Sequence, residues 1–133
     1  MPNRCIEIHD SILAGVSFSQ GEARLHFASV YIHQSEGAPG RDAGTGWTQE
    51  AILRIDNATV EGSFFKFPVS LSDGNIQLGR QLFDNEVPVP LRHNGSIAVR
   101  LIGGESGEIV SFTGSGAELE LLGEAQYAEE FRP

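Results

Sequence analysis

Apolar and polar residues alternate one for one along most of this chain, and that period limits the fold more than any other feature. Val16 and Phe18 alternate with Ser17 and Ser19, and after the turn-like SQGE at 19–22 the pattern returns through Leu25 and Phe27. Trp47, Ala51, Leu53 and Ile55 interleave with Thr48, Glu50, Arg54 and Asp56, with Ile52 breaking the polar face. Val87, Val89 and Leu91 flank Pro88 and Pro90. Ile97, Val99 and Leu101 alternate with Ser96, Ala98 and Arg100, and Ala117, Leu119 and Leu121 with Glu118 and Glu120. Successive side chains of a strand point to opposite faces, so these runs mark strands with one buried and one wet face.

The punctuation agrees. Asp73-Gly74 and Asn94-Gly95 are the residue pairs that tolerate the positive φ of a two-residue hairpin turn. GGESGE at 103–108 and GSG at 114–116 also read as turns. The predicted strands lie at about 4–10, 12–19, 23–33, 47–56, 58–66, 75–80, 86–91, 96–102, 108–113 and 116–122. Pro88 and Pro90 cannot donate ladder hydrogen bonds, which puts their strand at an edge. EAQYAEEF at 124–131 has no turn residue and predicts a short C-terminal helix. The expectation is one domain over residues 1–133. Its predicted fold is all-β, an antiparallel two-sheet sandwich or flattened barrel of about nine or ten strands with that terminal helix. There is no internal repeat, low-complexity tract or linker.

Composition narrows the function classes. With 40% hydrophobic and 20% charged residues the chain is neither disordered nor a membrane protein of helical type. No apolar run reaches the ~18 residues of a spanning helix. MPNRCIEIHD lacks the apolar segment of a signal peptide, so a cytoplasmic location is the expectation. The net charge is -9, and the 9 basic residues form no stripe, which argues against nucleic-acid binding and against anionic membranes. The single cysteine, Cys5, has no internal disulfide partner and sits beside Ile6 and Ile8 as a buried, inert thiol would.

EIHDS at 7–11, together with Ile32-His33 leading into the glycine loop up to GTGW, resembles bacterial β-rich domains of unassigned function. The resemblance implies a β-rich fold and no activity.

Four constellations bear on chemistry. His9-Asp10-Ser11 holds the residue types of a hydrolase triad, but consecutive residues of a strand cannot reach one another as a triad must, and a turn with local backbone bonds fits better. His26 and His33 are seven apart, an odd offset that sends them to opposite faces unless a bulge intervenes. His33 falls in phase with Leu25, Phe27 and Tyr31. His9 and His33, with Glu7 nearby, could meet across neighbouring strands, yet the spacing does not establish a metal set. Asp84-Asn85-Glu86 lacks EF-hand spacing and reads as a polar turn before the edge strand.

The fourth is EGAPGRDAGTGWTQ at 36–49. It has no P-loop lysine and leads into a strand, so it is not a phosphate cradle. It is long for a connector, which usually takes about four to six residues. Arg41 can grip a carboxylate and Trp47 offers a flat apolar face. The alternative is a structural loop, with Trp47 in the core and Arg41 paired to Asp42 or a neighbouring carboxylate. The candidate ligand-binding residues are therefore Arg41, Asp42, Trp47, His33 and His9, with no catalytic residue, metal or cofactor assigned.

The expected function is a non-catalytic binding or interaction module using the 36–49 loop, for an unidentified small ligand or protein partner. A homodimer would cover the edge strands. One alternative is a small hydrolase-like enzyme with His and acid residues under that loop. Another is an acidic accessory or immunity-like protein that meets a basic partner.

Overall fold

The structure, a computed structural model, describes residues 2–62, 65–105 and 107–133. Among these residues there are nine strands: β1 (Asn3–Ser19), β2 (Glu22–Ser35), β3 (Gly44–Asp56), β4 (Thr59–Gly62), β5 (Val69–Leu78), β6 (Gln81–Asp84), β7 (Glu86–Val89), β8 (Arg92–Gly103) and β9 (Ile109–Phe131). The fold is all-β and antiparallel. Pairing runs in the order β6-β5-β8-β9-β3-β2-β1-β7, with β4 on β9. A further pairing, Ile12↔Ser70 and Leu13↔Val69, joins β1 to β5. No helix among the described residues is long and apolar enough to cross a membrane.

The period-two residues make the core. Leu13, Leu25, Ile55, Ile76 and Phe112 are fully buried, with Val30, Ile32, Leu101 and Val110 close behind. Each such side chain contributes about 1.5–3 kcal/mol over its exposed state. The strand with Pro88 lies at the end of the pairing path and, among the described residues, pairs only with β1, as a proline within it requires.

Several expectations are corrected. The C-terminal helix is absent, and residues 124–131 continue β9. Thr45, Trp47 and Thr48 of β3 present ladder groups that Glu130, Tyr127 and Gln126 take up. The Trp47 and Tyr127 rings meet edge to face at 5.4 Å. An open edge with aromatic residues to cover outweighs a weak local helix preference.

Asp73-Gly74, Asn94-Gly95 and GSG at 114–116 are not hairpin turns but lie inside β5, β8 and β9. Gly74 is required there by close approach, since a Cβ would fall 2.5 Å from the carbonyl oxygen of Arg100. Gly95 (φ 132) sits where the β8–β9 register shifts between Asn94 and Ile97. Only Thr59–Gly62 of the expected 58–66 strand is seen as a strand. Residues 63 and 64 of that strand, and residue 106 of the 103–108 turn, lie outside the described residues.

Two bulges decide where the site forms. The strands expected at 4–10 and 12–19 are one strand, bent at Asp10 (φ 74), where the second neighbour of β1 changes from β7 to β5. Ser11, fully buried, bridges the break. Its hydroxyl donates to the Glu7 carbonyl at 2.7 Å and accepts from the Tyr31 N–H at 3.2 Å. In β2, a register shift between Phe27 and Val30 reverses the phase, so Leu25 and Phe27 are followed inward by Val30 and Ile32. His33 therefore leaves the phase of Leu25 and Phe27 and lies, like His26, on the face opposite the core.

Candidate binding cleft

The loop between β2 and β3 is shorter than its glycines imply, because β3 already begins at Gly44. Gly46 pairs with His33, and a Cβ there would fall 2.0 Å from the Tyr31 hydroxyl, so the GTG stretch is strand that only glycine can bring so close. What remains, residues 36–43, is tied down locally. The Asp42 carboxylate accepts the Ala38 N–H at 2.7 Å, and Ser35 donates to the Ala43 carbonyl at 2.8 Å. Asp42 thus shapes the loop and forms no ion pair with Arg41.

Beneath this loop lies a cleft of about 150 Å³. Its floor is the outer face of β1 and β2, with Cys5, Glu7 and His33. Pro39, Gly40 and Arg41 cover it, and Asp84, Asn85 and Glu86 form the far wall. Register explains the grouping: Cys5 pairs with both His33 and Pro88, and Glu7 pairs with Glu86. Directly opposed residues of paired strands share a face. The wall is held in place by Asn85 (φ 57). Its carbonyl accepts the Ile8 N–H at 3.0 Å, and its side-chain oxygen accepts the His9 N–H at 2.8 Å. The polar turn expected at 84–86 narrows to Asn85, the one residue between β6 and the edge strand β7.

His33 is 8% exposed, and its Nε2 stands 2.9 Å from Glu7 Oε2. A carboxylate neighbour assigns the ring proton to Nε2. Nδ1 is buried and has no hydrogen-bond partner among the described residues. The Tyr31 and Phe131 rings flank the imidazole edge-on, each at 5.0 Å. Tyr31 in turn donates to Glu129 Oε1 at 2.5 Å, and burial, then this bond and its negative partner, raise its phenol above the ordinary range. The Cys5 thiol is pushed up to about 11, first by burial and then by the charges of Glu86 and Glu7. Its sulfur lies 3.8 Å from the Pro39 carbonyl, so it is a protonated, unreactive thiol at neutral pH.

The five candidate residues are distributed unequally. His33 and Arg41 line the cleft. Asp42 supports the loop from behind. His9 is exposed, 3.2 Å from Asp10 and 4.0 Å from Glu7 through Nδ1, and stands outside the cleft lining. One donor atom each of Glu7, His9 and Asp10 lie within 4.8 Å of one another, the set among the described residues that could hold a cation. Ser11 is buried and bonded to backbone, so His9-Asp10-Ser11 is not a triad. Trp47 is apart from the cleft, its indole N–H donating to Thr45 at 2.7 Å.

Glu86 and Asn85 were not singled out as ligand contacts by sequence reasoning. Their signal is the pairing Glu7↔Glu86, which only the topology reveals. A roomier hollow of about 420 Å³ beside Ile12, Phe65 and Val69 has, among the described residues that line it, no buried polar side chain comparable to His33. No family model, curated protein or solved structure matches the chain.

Proposed function

We propose that the protein is a non-catalytic binding module whose site is the cleft under residues 36–43. The observation that carries this reading is the cleft itself, in which a tied loop closes over a buried histidine and Arg41 joins the lining without an ion pair among the described residues. A few polar groups converging on a concave space are what fixes the orientation of a bound ligand.

The chemistry of the cleft favours binding over turnover. In a triad the acid holds one ring nitrogen while the other faces the nucleophile. Here Glu7 occupies the Nε2 of His33 and the Nδ1 is buried, so neither nitrogen is free to take a proton from a substrate. Cys5, the nearest nucleophile, holds its proton. The hydrolase alternative keeps one supporting observation, the His33–Glu7 pair. If a hydrolytic activity found by screening disappears in His33→Ala while the fold persists, that alternative replaces the binding reading. As architecture, this proposal takes the flattened barrel rather than the sandwich, supported by the β1–β5 pairing.

The test is amide chemical-shift mapping of a small-molecule panel on the full chain. The expected result is a ligand whose shifts centre on residues 5–7, 33, 39–41 and 84–86 and which Arg41→Ala weakens. A panel without hits, together with a clean monomer that recruits no partner, removes the support for a binding module.

A further inference from the structure

The charges around the cleft are separated by sign, and that separation specifies what it can hold. Glu7 and Glu86 are directly opposed on neighbouring strands, a like-charge pairing that ordinarily destabilises a sheet. Neither has an arginine or lysine partner among the described residues; the Glu7 carboxylate meets only histidines, and the Glu86 carboxylate has no hydrogen bond or ion pair there. Both fields reach the same point, since both act on the buried Cys5 thiol. At the covering side, the exposed Arg41 likewise has no ion pair among the described residues, in a chain with 18 acidic and 9 basic residues where carboxylates are plentiful. Its neighbour Asp42 is committed to the Ala38 N–H. The cleft that these residues line has about 150 Å³, room for a small molecule.

Resting on the binding reading above, we propose that the cleft binds a small amino-acid-type zwitterion. The ammonium group sits between Glu7 and Glu86, and the carboxylate is held by the Arg41 guanidinium. A cation alone would satisfy the floor and leave Arg41 unpaired. An anion alone would meet two carboxylates. A short molecule bearing both charges satisfies each end, and charge-assisted hydrogen bonds are the strong ones in a partly dry site. His33 is a positioning residue in this scheme. Through its bond to Glu7 Oε2 it fixes one carboxylate, leaving the other oxygen for the ligand.

The experiment is a binding titration followed by amide shifts, using three matched probes: γ-aminobutyrate, butylamine and butyrate, with glycine and β-alanine to set length and Zn²⁺ as the bare cation. The expected result is that an amino acid binds at least about tenfold more tightly than butylamine and that butyrate does not bind. Arg41→Ala should erase the advantage over butylamine, and Glu86→Gln should weaken both amines roughly tenfold or more. Both substitutions lie at the surface of the cleft, and a cooperative unfolding transition with an otherwise unchanged amide spectrum verifies that the fold survives them. If butylamine, butyrate or Zn²⁺ equals the amino acids while shifts still centre on the cleft, the zwitterion is wrong and the binding site stands. If no probe shifts these residues, and Arg41→Ala and Glu86→Gln are coupled in stability, then Arg41 closes on Glu86 instead. Both the ligand class and the site then fall.

Discussion

Two outward-facing regions of the same sheet treat charge in opposite ways. Across β2, β3, β9 and β8, the register aligns Arg24, Arg54, Glu118 and Arg92 in one row. Arg54 bonds Glu118 at 3.0 Å and Asp56 at 3.3 Å, Arg24 bonds Glu22 at 3.0 Å, and Arg92 reaches Glu118 at 3.6 Å. Three arginines meet three carboxylates, so the charges of this face are balanced within it. At the other end, β1 and β7 set Glu7 against Glu86 under a covering loop, with no arginine or lysine paired to either among the described residues. Both arrangements use the same cross-strand geometry. The difference shows that pairing charges was within reach of this fold and was not done in the cleft. Unbalanced charge at a concave place is the mark of a binding surface, whereas the balanced row is a solvated wall.

The largest effect should be one that ignores the distinction. Phe112 is fully buried in the core shared by both regions. Phe112→Ala should cost about 3–5 kcal/mol and expose cleft and row alike, as read by denaturant unfolding with amide exchange. If one region keeps its protection, the two are separate folding units and the comparison is between domains, not faces.

The second effect should separate them. Ser11 supplies the hydroxyl that closes the break in β1 next to Glu7. Ser11→Ala leaves a buried N–H and a carbonyl short of a partner, a loss of about 1–3 kcal/mol. The loss of amide protection should concentrate at residues 5–9, 31–33 and 84–86 and spare β3 and β9 at residues 52–56 and 116–120. A uniform loss would mean that the cleft is not held by this local device.

The third concerns pH. Folding raises the Cys5 thiol from 9.0 to about 11. Below 9.0 the thiol is protonated in both folded and unfolded chains. Above it the unfolded chain loses a proton that the folded chain keeps, so stability falls as pH climbs from 9.0 toward 11. Cys5→Ala should flatten that decline in urea unfolding. An unchanged slope would place the alkaline loss elsewhere, for instance on Tyr31, whose phenol is also raised.

How much of this was legible in the sequence follows from the range of the interactions involved. Strand positions such as Leu53–Ile55 and Ile97–Leu101 are visible because alternation is a nearest-neighbour property. The bulge between Phe27 and Val30 is not, and it moved His33 from the core phase to the cleft floor. Residues 124–131 looked helical because their partner, the start of β3, is far away in sequence. Arg41 and His33 stand out by residue type. Glu86 does not, since its meaning depends on facing Glu7, a pairing that no local pattern encodes.

The smallest effect is the sharpest test, because its sign differs between the two regions. Glu118→Gln removes a carboxylate that two arginines share and should destabilise by about 0.2–1 kcal/mol. Glu86→Gln removes one member of an opposed like-charge pair and should stabilise by about 0.2–1 kcal/mol. Urea midpoints at low and high ionic strength check both, since salt screens attraction and repulsion alike and should draw the two variants toward the parent. The sign at Glu86 carries the argument. A side chain whose removal steadies the fold is kept for some other reason, and a ligand-facing carboxylate is such a reason. If Glu86→Gln destabilises as Glu118→Gln does, Glu86 already has a cationic partner in solution, Arg41 being the nearest in the cleft. The cleft would then be as balanced as the row, and the contrast between the two regions would disappear.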